Sequence, residues 1–193
     1  MNARKEIFTI PNILSMIRIA LIIAVVVVFF LPFENHYLIA GILLIVSGVT
    51  DILDGFIART FNMITPLGKA LDPFADKLTQ FAVLICLATF NLLILIPFSI
   101  LVVRDAFMFF TGVSIFKKTH ETFSAKWYGK VATLYTYTLM CAMLVFKTQL
   151  DEIQWLLITL IIIDAVLIGF SFLMYAIRNI RELKKEDPQV EEK

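Results

Sequence analysis

The chain has 193 residues, of which 60% are hydrophobic, and its formal net charge is +1. Soluble domains carry only about 45–50% apolar residues, so a soluble core of this size cannot bury so many apolar side chains and the excess must face lipid. The nearly neutral charge gives no global field of the kind that attracts nucleic acid, and we expect no nucleic-acid partner.

Six apolar segments are long enough to cross a bilayer, for which a helix needs about 20 residues. In chain order they are Ile13 to Leu31, Tyr37 to Thr60, Pro66 to Phe90, Leu93 to Phe116, Lys126 to Phe146, and Glu152 to Ile177, the last continuing toward Leu183. None alternates as a strand would. We therefore predict an all-α polytopic membrane protein, a six-transmembrane-helix bundle that forms one domain over residues 1–183, with a disordered polar tail over residues 184–193.

Lysine and arginine are concentrated at one set of helix ends. That set comprises Arg4, Lys5, Arg59, Lys69, Lys117, Lys118, Lys126, Lys130, Arg178, Arg181, Lys184 and Lys185. The opposite ends hold only Lys147. Because basic loops stay in the cytoplasm, we predict that both termini and the loops after the second and fourth helices are cytoplasmic, in a protein of the cell membrane.

Four carboxylates lie at the predicted cytoplasmic ends of the second and third helices, in the stretch DILDGFIARTFNMITPLGKALDPFAD. Asp51 and Asp54 are three residues apart, and Asp72 and Asp76 are four apart, so each pair shares one helix face. The turn between the two helices folds them antiparallel. We expect the two acidic pairs to meet.

Placing these carboxylates in a membrane is costly. An aspartate at the centre of a membrane helix costs about 2.5–3.5 kcal/mol, and like charges close together repel. Only Arg59, Lys69 and Lys77 lie close in sequence to neutralise them, as a structural salt-bridge network would require. Bound divalent cations would remove both penalties, and a set of oxygen ligands without histidine or cysteine favours Mg²⁺, Mn²⁺ or Ca²⁺.

Small residues and an arginine accompany the carboxylates. Gly55, Ala58 and Gly68 leave room for a ligand on the acidic face, or else allow close helix packing. Arg59 can bind a phosphate or extend to the lipid headgroups. Spacing alone does not choose between these readings.

Together these residues form a pattern, D-x-x-D-G-x-x-A-R, eight residues, then G-x-x-x-D-x-x-x-D. Its fixed positions are Asp51, Asp54, Gly55, Ala58, Arg59, Gly68, Asp72 and Asp76. The chain thereby resembles the CDP-alcohol phosphatidyltransferase family, over nearly its whole length.

The resemblance implies a reaction and a set of site residues. The chain would transfer the phosphatidyl group of CDP-diacylglycerol to an alcohol, with CMP as the leaving group. Two metal ions, Mg²⁺ with Mn²⁺ as an alternative, would be held by Asp51, Asp54 and Asp72 and by Asp51, Asp72 and Asp76. Asp76 would also be the general base. The CDP-lipid set would be Asn12, Ser15, Gly55, Ala58, Arg59, Thr65 and Gly68. The family also suggests a homodimer.

A second basic set is a candidate for binding the acceptor alcohol. Arg104 lies inside the fourth apolar segment, where a buried arginine is usually functional or paired, here with Asp105 or a site carboxylate. Lys126 and Lys130 begin the fifth helix and can be acceptor ligands or ordinary flanking charges.

Two branches of the family share features with this second set. The Arg-acid pair and a Gly-Lys-x-x-Thr element, here Gly129, Lys130 and Thr133, resemble the phosphatidylglycerophosphate synthase and cardiolipin synthase branches. Asp105 stands where the first branch more often has glutamate, which favours the second. Three cations nevertheless suit a small phosphate, so we expect glycerol 3-phosphate as the acceptor, with phosphatidylglycerol as the alternative.

Two other classes of protein are less consistent with the sequence. A transporter would need acids or a proton relay at mid-membrane, yet the carboxylates lie at one face and Asp164 is the only deep acid elsewhere. A non-catalytic scaffold would have no need of four carboxylates around glycine and arginine.

Overall fold

A computed structural model describes residues 10–61, 66–119 and 126–184. Side chains are described for these residues except 10, 11, 58, 59, 66–73, 117–119 and 184. The described residues form α-helices and one short 3-10 helix, Leu92–Ile94, and contain no strand. The α-helices are α1 (Ile10–Phe30), α2 (His36–Thr60), α3 (Pro66–Ala88), α4 (Leu95–Thr119), α5 (Trp127–Val145), α6 (Lys147–Glu152) and α7 (Gln154–Lys184).

All six predicted apolar segments appear as helices, with ends within a few residues of those expected. The first helix stops before Pro32, as predicted, because proline and the residue before it do not continue a helix. Asn35 then adopts a left-handed backbone conformation (φ 62°), which asparagine tolerates better than most residues, and α2 begins at the next residue. The short α6 was not predicted.

Four of the described helices are long and apolar enough to cross a membrane: Asn12–Phe30, His36–Ile57, Leu92–Phe116 and Gln154–Leu183. Their outward faces carry exposed large apolar residues, such as Ile52 at 72% exposure and Val166 at 64%. Such surfaces are stable only in contact with lipid. The chain is therefore an all-helical membrane protein.

The structure divides into two compact units, and the first comprises residues within Met1–Leu92 and Met140–Ile153. In it α1 packs against both α2 and α3. At one end Arg18 of α1 contacts Asp54 of α2 and Asp76 of α3. At the other end aromatic rings meet, namely those of Phe29, Tyr37 and Phe90. It follows that α3 runs parallel to α1 and that α2 runs antiparallel to both.

A glycine allows one close approach in this unit. A Cβ atom on Gly41 of α2 would lie 2.7 Å from Val145 Cγ2 and 3.2 Å from the Val145 backbone nitrogen. The backbones therefore pack at a distance that a larger residue would not permit, as is common between membrane helices.

The second unit comprises residues within Leu93–Leu139 and Gln154–Lys193. Here α4 packs against α7, and Leu101, Ala132 and Ile168 form a buried cluster. Lys126 at the start of α5 contacts Tyr175 late in α7, whereas Tyr135, farther along α5, donates a hydrogen bond to the Leu160 carbonyl early in α7 (3.3 Å). The two helices are thus antiparallel. The single domain over residues 1–183 stays a prediction, and tail residues 185–193 lie outside the described part of the chain.

Candidate active site

Three of the four predicted carboxylates converge in the first unit. Asp51 and Asp54 lie in the last turns of α2, and Asp76 lies in α3. Asp54 is buried, with 4% of its side chain exposed, whereas 46% of Asp51 and 51% of Asp76 are exposed. The cluster is therefore closed on one side and open on the other.

The side chain that joins these carboxylates is Arg18. Its Nη2 lies 2.6 Å from Asp51 Oδ1 and also pairs with Asp54 Oδ2, while its Nη1 lies 3.1 Å from Asp76 Oδ1. Only 2% of the Arg18 side chain is exposed, and its Nε has no hydrogen-bond partner among the described residues. One guanidinium thus serves as counter-ion to three carboxylates from two other helices.

The guanidinium lies among the acids. Among the side chains that the structure describes, no three acidic, histidine or cysteine residues are spaced as ligands of a single metal ion. Arg18 contacts each of Asp51, Asp54 and Asp76 and holds their carboxylates near one another. The Asp72 side chain lies outside the described set.

The predicted CDP-lipid residues are described only in part. Asn12 and Ser15 are fully buried in the first turns of α1, and Gly55 is half-buried one residue after Asp54. Asn12, Ser15 and Arg18 follow one another at three-residue steps, so all three lie on the buried face of α1 that leads to the carboxylates. The remaining members have side chains outside the described set: Ala58, Arg59, Thr65 and Gly68.

The second unit contains a separate buried polar cluster around Arg104. Its Nε and Nη2 donate hydrogen bonds to Asp105 Oδ1 (3.0 and 2.8 Å), and Nη2 also lies 3.4 Å from Thr133 Oγ1. Arg104 is 5% exposed, and its Nη1 has no hydrogen-bond partner among the described residues. The predicted pairing with Asp105 is present, and one donor of the guanidinium remains available to a ligand.

The two predicted acceptor lysines lie on the surface of this unit. Lys126 and Lys130 are exposed. Within the described part of the chain, the hydrogen bonds and the ion pair of Arg104 go to Asp105 and Thr133 and not to these lysines. Lys130 is three residues before Thr133 and hence on the same side of α5.

Comparison with known proteins identifies the family. A model of the protein family described as CDP-alcohol phosphatidyltransferase matches residues 8–171. The chain belongs to the CDP-alcohol phosphatidyltransferase family. The matched range contains the acidic cluster, Arg18 and the Arg104 cluster.

Two relatives align over most of their length with this CDP-alcohol phosphatidyltransferase. One, from Aquifex aeolicus (strain VF5), is 31% identical over 180 residues, which are 92% of this chain and 99% of the relative. Another, from Bacillus subtilis (strain 168), is 30% identical over 161 residues, which are 77% of this chain and 82% of the relative. Both are named CDP-diacylglycerol–glycerol-3-phosphate 3-phosphatidyltransferase.

Two buried charged residues were not assigned by the sequence analysis. Arg18 was not among the predicted site residues, although it contacts three of them. Asp164 is 1% exposed in α7, accepts a hydrogen bond from Thr136 (2.8 Å) and interacts electrostatically with Arg104. A polar residue on the buried face of an otherwise apolar helix is the sequence signal that points to both.

Proposed function

We propose that this protein transfers the phosphatidyl group of CDP-diacylglycerol to glycerol 3-phosphate. The acceptor hydroxyl oxygen forms a bond to the lipid-side phosphorus, the bond from that phosphorus to CMP breaks, and the products are phosphatidylglycerophosphate and CMP. Three observations support this proposal. The chain belongs to the family, and relatives that align over most of their length carry the name of this activity. In addition, Asp51, Asp54 and Asp76 converge. The convergence of these acids is the main support for the proposal.

The exposures of the three carboxylates suit different roles. Asp76 is 51% exposed, so a substrate hydroxyl can reach it, and a carboxylate can take the proton that this hydroxyl loses. Asp54 is almost fully buried, so a substrate reaches it less readily than Asp76. Its role is to hold the Arg18 guanidinium in the cluster by an ion pair. We assign Asp76 as the general base.

The chemistry of the donor set, rather than its present spacing around Arg18, suits a divalent cation. Three carboxylates from α2 and α3 already surround one cationic group, and every predicted ligand is an oxygen, as Mg²⁺ and Mn²⁺ prefer. Asp51, Asp54, Asp72 and Asp76 would hold two Mg²⁺ ions, with Mn²⁺ as an alternative. When bound, such ions offset the charge that develops on a pyrophosphate leaving group.

The residues around the acidic cluster suit the nucleotide part of the donor. Asn12 and Ser15 supply buried polar groups on α1, and Gly55 leaves space beside Asp54. We assign these three, together with Ala58, Arg59, Thr65 and Gly68, to the CDP-lipid.

Arg104 is the proposed acceptor ligand of the second unit. Its Nη1 has no hydrogen-bond partner among the residues that the structure describes, and a buried guanidinium of this kind is suited to a charge-assisted hydrogen bond with a phosphate. Lys126 and Lys130 are assigned to the same acceptor as exposed charges that attract it. Phosphatidylglycerol, the alternative acceptor, shares the phosphate chemistry, so the two are separated by experiment.

We propose six membrane crossings, with both termini and the acidic cluster on the cytoplasmic side. The described α3 and α5 are not among the four helices that are long and apolar enough to cross a membrane, but α3 and the residues just after it run parallel beside α1 from Asp76 to Phe90, and α5 runs antiparallel beside α7. A helix that accompanies a membrane-spanning neighbour in this way crosses the same layer. Lys147, the basic exception at the opposite end, is already paired with Asp151 and lies 4.4 Å from the centre of the Phe90 ring. The homodimer stays a prediction.

The test is product formation by purified protein in detergent. We expect CMP release from CDP-diacylglycerol with glycerol 3-phosphate and Mg²⁺, loss of release with EDTA, and phosphatidylglycerophosphate as the lipid product. Release with phosphatidylglycerol alone would assign the cardiolipin-type reaction instead. A folded protein that released no CMP with either acceptor would refute the proposal and favour a non-enzymatic transporter or scaffold.

A further inference from the structure

The most unusual side chain of the first unit is Arg18. It lies on a helix that is otherwise apolar over most of its length, and it is 98% buried, since only 2% of its side chain is exposed. Its two terminal nitrogens contact Asp51, Asp54 and Asp76, and its Nε has no hydrogen-bond partner among the described residues. Taken by themselves, the three ionised carboxylates and the guanidinium carry a net charge of −2.

This composition explains why a cation must be present in the cluster at all times. Carboxylates held within a few ångströms of each other in a poorly solvated site repel strongly. Before any divalent cation has bound, the guanidinium of Arg18 offsets part of this repulsion, because it contacts all three carboxylates. Its planar fork presents five N–H donors in a fixed geometry and can therefore bridge several carboxylates at once.

The same contacts conflict with binding of a metal ion. Mg²⁺ needs carboxylate oxygens at about 2.0–2.1 Å in nearly octahedral geometry, whereas the oxygens of Asp51, Asp54 and Asp76 are directed at Arg18 nitrogens. A guanidinium among the ligands of a divalent cation would also repel that cation. The described acids are accordingly not spaced as ligands of a single ion.

We propose that Arg18 is an internal counter-cation that holds Asp51, Asp54 and Asp76 together before metal binding, and that an incoming divalent cation displaces its guanidinium from these carboxylates. The inference rests on the proposed metal site. The exposed sides of Asp51 and Asp76 give the ion its path, because Arg18 is on the closed side of the cluster. Arg18 is a positioning residue, and its loss should destabilise the metal-free protein while strengthening metal binding.

The experiment measures metal binding rather than turnover. Purified full-length protein is stripped with EDTA, and its thermal midpoint is followed during titration with Mg²⁺. For Arg18→Gln we expect a lower midpoint in EDTA and a Mg²⁺ concentration for half-maximal stabilisation that falls at least about tenfold, because a repelling charge has been removed. Arg18→Lys keeps a charge without the fork and should shift both quantities in the same direction by less.

Arg104→Gln is the matched control. It also removes a buried guanidinium paired with a carboxylate, but its described partners are Asp105 and Thr133. It should lower the thermal midpoint equally with and without Mg²⁺ and leave the half-maximal Mg²⁺ concentration unchanged. If Arg18→Gln does not fold without metal, the proposal is tested with Arg18→Lys instead. Its affinity for Mn²⁺ is measured from the electron paramagnetic resonance signal of the free ion, and the proposal requires tighter binding than in the wild type.

The outcomes separate the two proposals. A wild-type protein that turns over with Mg²⁺ but whose Arg18 variants bind metal no more tightly than wild type would overturn the inference alone. Weaker metal binding by the Arg18 variants would also overturn the inference, because Arg18 would then stabilise the bound metal ion instead of competing with it. A wild-type protein without any response to Mg²⁺ or Mn²⁺ would overturn both the metal assignment and the role of Arg18.

Discussion

Replacing Gly129 by alanine tests how the second unit is packed. A Cβ atom at this position of α5 would lie 2.8 Å from Cε2 and 2.9 Å from Cζ of Tyr175, and it would also meet the hydroxyl oxygen. The Tyr175 ring cannot move freely, because it is 2% exposed, packs 4.8 Å from the Tyr128 ring and accepts a hydrogen bond from the Lys126 backbone N–H at 3.0 Å. The substitution must therefore displace α7 or break these contacts.

The expected loss of stability follows from three contributions. Overpacking of a filled site costs about 1–3 kcal/mol, and loss of the hydrogen bond to Tyr175 costs about 0.5–1.5 kcal/mol. Alanine in a helix interior gains about 0.8–1.0 kcal/mol relative to glycine, and this is an upper limit here because Gly129 lies in the first turn of α5. We expect Gly129→Ala to lower the free energy of unfolding by about 0.5–4.5 kcal/mol, which corresponds to a fall of roughly 1–18 °C in the thermal midpoint for a chain of this size.

Thermal unfolding in detergent can be followed with a thiol-reactive fluorophore, because Cys86 is a free and buried cysteine that becomes reactive on unfolding. Gly112→Ala is the control: a Cβ there meets no atom within 4 Å, so only the gain in helix propensity remains. In the double variant with Tyr175→Phe, the cost of Gly129→Ala should shrink, since the nearest obstructing atom is gone. Equal midpoints for Gly129→Ala and Gly112→Ala would refute the described packing of Tyr175 on α5.

Two further predictions concern the proposed reaction. Asp76→Asn should keep the fold and CDP-lipid binding, because Asp76 is half-exposed and Arg18 retains its other partners, yet it should lower turnover by about 10²–10⁴-fold through loss of the general base; near wild-type turnover would remove Asp76 from that role. Arg104→Ala should raise the KM for glycerol 3-phosphate about tenfold or more, as expected for loss of a charge-assisted hydrogen bond, with a smaller change in the KM for CDP-diacylglycerol. An unchanged acceptor KM in a folded variant would exclude Arg104 from the acceptor site.

The helices could be predicted from the sequence because long apolar segments leave few alternatives. Proline at position 32 and the polar residues between segments fixed the ends of the helices to within a few residues. The short α6 was not predicted, because six residues are too few to show a helical period of apolar residues. The pairs of helices that pack together were not predicted for a different reason. The apolar faces of these helices have similar compositions, and composition does not specify which helix packs against which.

The acidic cluster was predictable and its counter-ion was not. The spacing of Asp51, Asp54 and Asp76 limits them to two helix faces, and both faces meet α1 at Arg18. Arg18, however, lies 36 residues from Asp54 and 58 from Asp76, so a search among sequence neighbours found Arg59, Lys69 and Lys77 instead. Ion pairs between distant segments depend on how helices pack. Conversely, Arg104 and Asp105 are adjacent, and that pair was correctly anticipated.

The contact between Arg18 and the acidic residues of α2 nevertheless follows from the order of polar and apolar residues along the buried faces of α1 and α2. The buried face of α1 is polar at its start and apolar at its end: it runs through Asn12, Ser15, Arg18, Ile22, Val25 and Phe29. The buried face of α2 has the opposite order, from Ala40 and Leu44 through Ser47 to Asp54. Antiparallel packing is the arrangement that places polar residue against polar residue and apolar against apolar along both faces. A parallel pair would bury Arg18 against apolar side chains, at the cost of an unpaired charge in the membrane, so the order of residues along each face selects the observed direction of packing.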